Sequence, residues 1–126
     1  RSDKRVVVRE KVNARWLGCV DVPESVGFSC CDVSFISVTL ILPALGRFIR
    51  PGSGLVVLAK PQFEVGKNLV GKGGIVDDPV THYQVVEKVR SAMESIGLRV
   101  LPEIESPIRG AKGNREFLLY GSKEAL

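Results

Sequence analysis

Leu55-Val56-Val57-Leu58-Ala59 is an unbroken apolar run between Gly54 and Lys60. A strand with one wet face alternates apolar and polar residues, whereas a continuous run is buried on both faces. That is the habit of parallel strands covered by helices in α/β proteins. The flanking segments agree. Arg5 to Glu10 places Val6-Val7-Val8 between charges, a short buried strand, and Asp21 to Ser25 is loop around Pro23. Gly27 to Phe35 reads as a second strand ending near Asp32. Ser37 suits the cap of a helix from Val38 to Ile49, apolar on most sides, with Pro43 predicting a kink and Arg50-Pro51-Gly52 closing it. The glycine-rich stretch from Gln62 to Asp77 reads as a long functional or mobile loop. Asp78-Pro79 starts a helix in which Tyr83, Val86, Val89, Met93 and Ile96 share a face, and Gly97 ends it. Leu98 to Ile104 and Glu116 to Tyr120 complete the strands. The order predicts an α/β sheet, mostly parallel, with an antiparallel last strand.

A length of 126 residues supports one domain with a real core. A hydrophobic fraction of 44% with 25% charged residues argues against disorder. The net charge of +4 fits a phosphate-bearing partner without identifying one. Cys19, Cys30 and Cys31 are odd in number and fit neither a zinc site nor a redox pair. Cys30 and Cys31, inside an apolar stretch, are expected to be buried and reduced. That points to the cytoplasm or to an organelle stroma or matrix. No apolar run approaches the length of a membrane span. Arg1 to Arg5 is not a signal peptide and reads as a chain beginning in mid-domain.

Three charged residues stand where strands end or begin. Asp32 closes the second strand, Lys60 closes the apolar strand, and Glu116 opens the last. Ligands of open α/β sheets bind beyond the carboxyl ends of the parallel strands, and an antiparallel strand begins on that same rim. The three can therefore converge on one site, either as catalytic groups or as a structural ion-pair network.

The blocks CDVSFISVTLILPAL, LVVLAKPQFEVGKNLVGKGGIVDDP and SPIRGAKGNREFLL resemble consecutive blocks of the TlyA/FtsJ-like, hemolysin-named methyltransferases. The resemblance runs from Val6 to Leu119. It implies transfer of a methyl group from S-adenosylmethionine to a ribose 2′-hydroxyl of rRNA, on a Rossmann-like sheet. Asp32, Lys60 and Glu116 match the Asp, second Lys and Glu of the family's Lys-Asp-Lys-Glu tetrad. Such a lysine accepts or steers the hydroxyl proton. Burial favours its neutral form, and flanking carboxylates favour its charged form. Asn13, together with Asp32, matches a position facing the cofactor.

The departures are as informative. The tetrad's first Lys, the glycine-rich cofactor loop and the acidic ribose ligand lie upstream in the family, as does an S4-like RNA-binding domain. Residues 1–126 are thus expected to form the C-terminal part of one methyltransferase domain. The sheet would be incomplete, lacking its first strands. Most of the cofactor site would lie elsewhere, and the piece would be inactive alone. An incomplete sheet exposes an apolar strand edge, from which homodimerisation, rearrangement of residues 1–25 or proteolysis of a longer parent is expected.

Gly66 to Gly73 nearly spells a phosphate-binding loop, but Gly73 stands where a Ser or Thr would hold magnesium and no helix follows. Lys67 and Lys72 are instead available to RNA phosphates or to solvent. Arg109, Lys112 and Arg115 would position an RNA backbone or solvate a turn. His82 reads as a surface residue and Trp16 as a packing residue, and no metal constellation is present. A non-catalytic RNA-binding or assembly module is the alternative function. A membrane-lytic protein, suggested by the hemolysin label, is a third, and the chain lacks a spanning segment for it.

Overall fold

The computed structural model describes residues 2–124. Its sheet contains β1 (Val26–Cys31), β2 (Ile49–Ala59), β3 (Leu98–Val100), β4 (Ile104–Glu105) and β5 (Phe117–Lys123). The helices are α1 (Leu42–Gly46), α2 (Pro61–Glu64) and α3 (Pro79–Ser95), with short 3-10 turns between them. The strand order is β1-β2-β5-β3, with β4 also paired to β5. β1 and β2 are parallel, while β5 runs antiparallel to β2, β3 and β4. Four strands therefore point one way and the last points back, the mostly parallel sheet with a reversed final strand that the sequence predicts.

The apolar run of β2 lies at the sheet centre, with Leu55, Val57 and Ala59 fully buried. They meet Phe117 and Leu119 of β5 across the ladder and Val85, Val86, Val89 and Met93 of α3 from above. Each such side chain contributes roughly 1.5–3 kcal/mol by leaving water, so this layer is the main source of stability. Asp78 caps α3: its Oδ1 accepts from Val80 N at 3.0 Å, with Pro79 at the first turn. On the opposite sheet face Phe28, Ile104 and Tyr120 remain exposed, and β1 is an outer strand of the sheet.

Several local expectations are corrected. Residues 6–10 form no strand, and Val6, Val7 and Val8 are exposed. Three valines between charges form a strand only with a partner ladder, and none reaches them here. Trp16 is 70% exposed and packs in no core; Arg15 lies over its ring at 5.0 Å. Cys31 is buried but Cys30, on the other sheet face, is exposed. The segment after Ser37 is not one kinked helix. A 3-10 turn at Val38–Leu40 gives way to α1, whose first turn contains Pro43, and β2 begins at Ile49. On α3, Tyr83 is 65% exposed, and Thr81, His82 and Val85 join the buried face instead.

Candidate active site

β1, β2 and β5 end or begin on one rim. The last paired residues are Cys31 with Val57, and Ala59 with Phe117. Asp32, Lys60 and Glu116 are each the next residue outward, so the ladder register alone gathers them. Lys60 Nζ lies 2.6 Å from Asp32 Oδ1 and donates to Ser34 Oγ at 3.0 Å. The lysine side chain is only 14% exposed, whereas the Asp32 side chain is 63% exposed. The amine is thus walled in and the carboxylate faces open space.

Glu116 is 5% exposed and is joined to this pair through α2 rather than by direct contact. Its Oε2 accepts from Gln62 Nε2 at 2.8 Å. Gln62 follows Lys60 by two residues, and its Oε1 is buried without a partner. An unpaired buried acceptor of this kind costs on the order of 1–3 kcal/mol. The same carboxylate also lies against Gly110, where an added Cβ would come within 1.9 Å of Oε2. Only glycine permits that approach.

The loop carrying Asp32 and Ser34 is held by a residue the sequence reading passed over. The Glu64 carboxylate, its side chain 2% exposed, accepts from Ser37 Oγ at 2.6 Å and from Val38 N at 2.8 Å. Lys88 of α3 neutralises it at 3.1 Å. Lys60 caps the start of the four-residue helix α2 and Glu64 is its last residue, so one short element sets both the amine and the anchor of the facing loop. In that loop Phe35 has a φ of 65°, a left-handed conformation rare for a bulky residue. Its ring is 90% exposed and leans on Phe63, with centroids 4.9 Å apart.

Phe35, Gln62, Phe63, Val70, Lys112 and Asn114 line a cleft of about 400 Å3 beside the rim. Its far wall is two glycine-rich loops joined by Asn114, which is 2% exposed. Asn114 Oδ1 accepts from Val76 N at 2.9 Å, and its Nδ2 donates to the carbonyls of Gly74 and Ala111. His82, read from sequence as a surface residue, is 4% exposed and lies 2.6 Å from the Val76 carbonyl through Nε2. It follows the helix cap closely, and α3 turns it inward against Phe117.

The basic residues divide into two groups. Lys67, Lys72 and Lys112 are exposed and form no ion pair among the described residues. Arg115 is committed to Glu105, a pairing that holds the Glu105 carboxyl below its usual range. Arg109 donates to the Gly113 carbonyl at 3.2 Å. No metal-ligating cluster occurs among the described residues. No helix among them is long and apolar enough to cross a membrane.

An adenosyl cofactor needs a slot for its base, acceptors for its ribose hydroxyls and a carboxylate near its sulfonium. Asp32 could supply the last. Asn13 Oδ1 is already spent capping the turn Ala14–Trp16 through Arg15 N at 3.0 Å. The rim cleft has no acidic wall. The described residues by themselves do not fit the whole group.

Residues 1–123 match the family model described as FtsJ-like methyltransferase. The chain is 45% identical over 121 residues to YqxC of Bacillus subtilis, named as a candidate rRNA methyltransferase, covering 95% of this chain and 43% of that protein. It is 40% identical over 124 residues to the 16S/23S rRNA (cytidine-2′-O)-methyltransferase TlyA of Mycobacterium tuberculosis, covering 95% and 45%. A solved structure of a hemolysin-named protein from Streptococcus thermophilus superposes with a TM-score of 0.90 at 39% identity, over 99% of this chain and 46% of that one. The chain spans about half the length of the curated relatives it matches.

Proposed function

The chain belongs to the FtsJ-like methyltransferase family, and on that premise we propose that it carries the nucleophile-activating rim of an rRNA ribose 2′-O-methyltransferase. The supporting observation is Lys60 Nζ held 2.6 Å from Asp32 and 3.0 Å from Ser34. Glu116 occupies the adjacent position across the ladder.

In this reading S-adenosylmethionine supplies an electrophilic methyl group. The described residues do not form the whole of its site, and the activity is proposed for the intact protein. When the Lys60 amine is neutral, its two N–H groups serve Asp32 and Ser34 and its lone pair keeps the third direction. That direction meets the ribose 2′-hydroxyl. With the amine neutral, the hydroxyl proton would pass to the Nζ lone pair, and the nearby Asp32 carboxylate would stabilise the ammonium so formed. Glu116 holds negative charge on the same side. The exposed Phe35 ring offers a stacking face for a base splayed from the RNA, the usual mode of single-stranded recognition. Lys67, Lys72 and Lys112 border the cleft loops and meet phosphates.

The name of one relative, a 16S/23S rRNA (cytidine-2′-O)-methyltransferase, supports a cytidine in rRNA as the target, and with it a setting in the cytoplasm or an organelle matrix. The outer edge of β1 is where a second copy would pair. Transfer of tritiated methyl groups to ribosomal subunits, by the intact protein and its Lys60→Ala variant, tests the reading. Equal rates for the two would sink it.

A further inference from the structure

Gln62 has no assigned part in the chemistry, yet it is the hydrogen-bond partner of the Glu116 side chain at 2.8 Å. The carboxylate accepts only, so the amide must present its NH2 and turn its oxygen away. That oxygen is buried with no donor. Packing alone gives no reason for such an amide. A methionine fills a similar volume without an orphaned acceptor. What a methionine lacks is the N–H aimed at Glu116. Gly110 packs against the same carboxylate oxygen, Oε2, where any Cβ would collide with it. Donor and glycine together restrict where Oε2 of the carboxylate can lie.

We propose that Gln62 is a positioning residue for methyl transfer: its Nε2 fixes the Glu116 carboxylate against the Gly110 backbone. Its placement on α2, two residues after Lys60, couples the position of the carboxylate to that of the amine. The inference rests on Glu116 being part of the reacting site, as proposed above.

The test is a double-mutant cycle in the intact protein, reading kcat and KM for rRNA separately. Gln62→Met is expected to lower kcat at least tenfold with KM changed less than twofold. In a Glu116→Gln background the same substitution should have no further effect, because Gln62 acts through Glu116. Wild-type kcat in Gln62→Met, or a loss carried in full into the Glu116→Gln background, overturns the proposal. If Glu116→Gln itself keeps wild-type kcat while Lys60→Ala does not, this inference falls and the methyltransferase reading stands. Should Gln62→Met fail to fold, Gly110→Ala displaces the carboxylate by steric collision and is expected to give the same kcat loss. Normal kcat in that variant would equally overturn the proposal.

Discussion

Glu64 reaches across from α2 to bond the backbone N–H of Val38 at 2.8 Å, and so fixes a loop that begins on a different strand. The same carboxylate takes the Ser37 hydroxyl and the Lys88 ammonium. With its side chain 2% exposed, its removal leaves a buried donor and a cation uncompensated. Glu64→Ala is expected to destabilise the protein by about 3 kcal/mol, measured by urea unfolding. A change below about 0.5 kcal/mol would show that the loop is held by other contacts.

Lys60 is placed to exchange a proton with the attacking hydroxyl. Lys60→Ala is expected to slow methyl transfer by a factor of about 10²–10⁴, the usual worth of a positioned acid or base. Its rRNA affinity, followed by filter binding, should change little. A large affinity loss with the transfer step intact would make Lys60 a phosphate contact instead.

Asn114 ties two glycine-rich loops into one wall by three hydrogen bonds. Asn114→Asp keeps the acceptor for Val76 N and loses both donors; Asn114→Ala loses all three. The expected order of stability is wild type, then Asp, then Ala, with Ala lower by roughly 2–4 kcal/mol. Hydrogen exchange at the Val76 amide should accelerate in Ala more than in Asp. Unchanged exchange in both would show that His82 alone holds the loop.

The Cys31 thiol is pushed up to about 11, first by burial and then by the Asp32 charge and neighbouring Cys30. A raised folded value favours the protonated thiol in the native state. The stability it confers is therefore fully present below about 9, its ordinary value, and is lost as pH climbs through about 11. The loss should reach on the order of 2–3 kcal/mol, and Cys31→Ala should abolish that part of the pH dependence of Tm. At pH 8 roughly one thiol in a thousand is thiolate, so iodoacetamide should modify exposed Cys19 and Cys30 well before Cys31. Mass spectrometry of the alkylated protein gives the order directly.

Lys67, Lys72 and Lys112 are free of ion pairs among the described residues, whereas Arg115 is engaged by Glu105. Replacing any one of the three lysines by Ala should reduce the slope of log affinity for rRNA against log salt by roughly 0.7–0.9. Arg115→Ala should reduce it less, since the guanidinium is already compensated. Slopes unchanged from the wild type in all four variants would remove these residues from the RNA path.

The core and the rim are legible along the chain. The unbroken apolar run of β2, the Asp78-Pro79 start of α3 and the polar residues at strand ends are local signals. Strand register then carries Asp32, Lys60 and Glu116 outward to one edge without further instruction. How that edge is held emerges only in the folded chain. Gln62, Glu64, His82 and Asn114 look like ordinary polar residues along the chain. Each acquires its role from a partner far away in sequence, at Glu116, Val38, Val76 and Gly74. The failures have the same cause. Val6 to Val8 carry a strand pattern but find no ladder, and Trp16 finds no core to enter. A pattern of apolar residues states a preference; a neighbouring chain segment must be present to satisfy it.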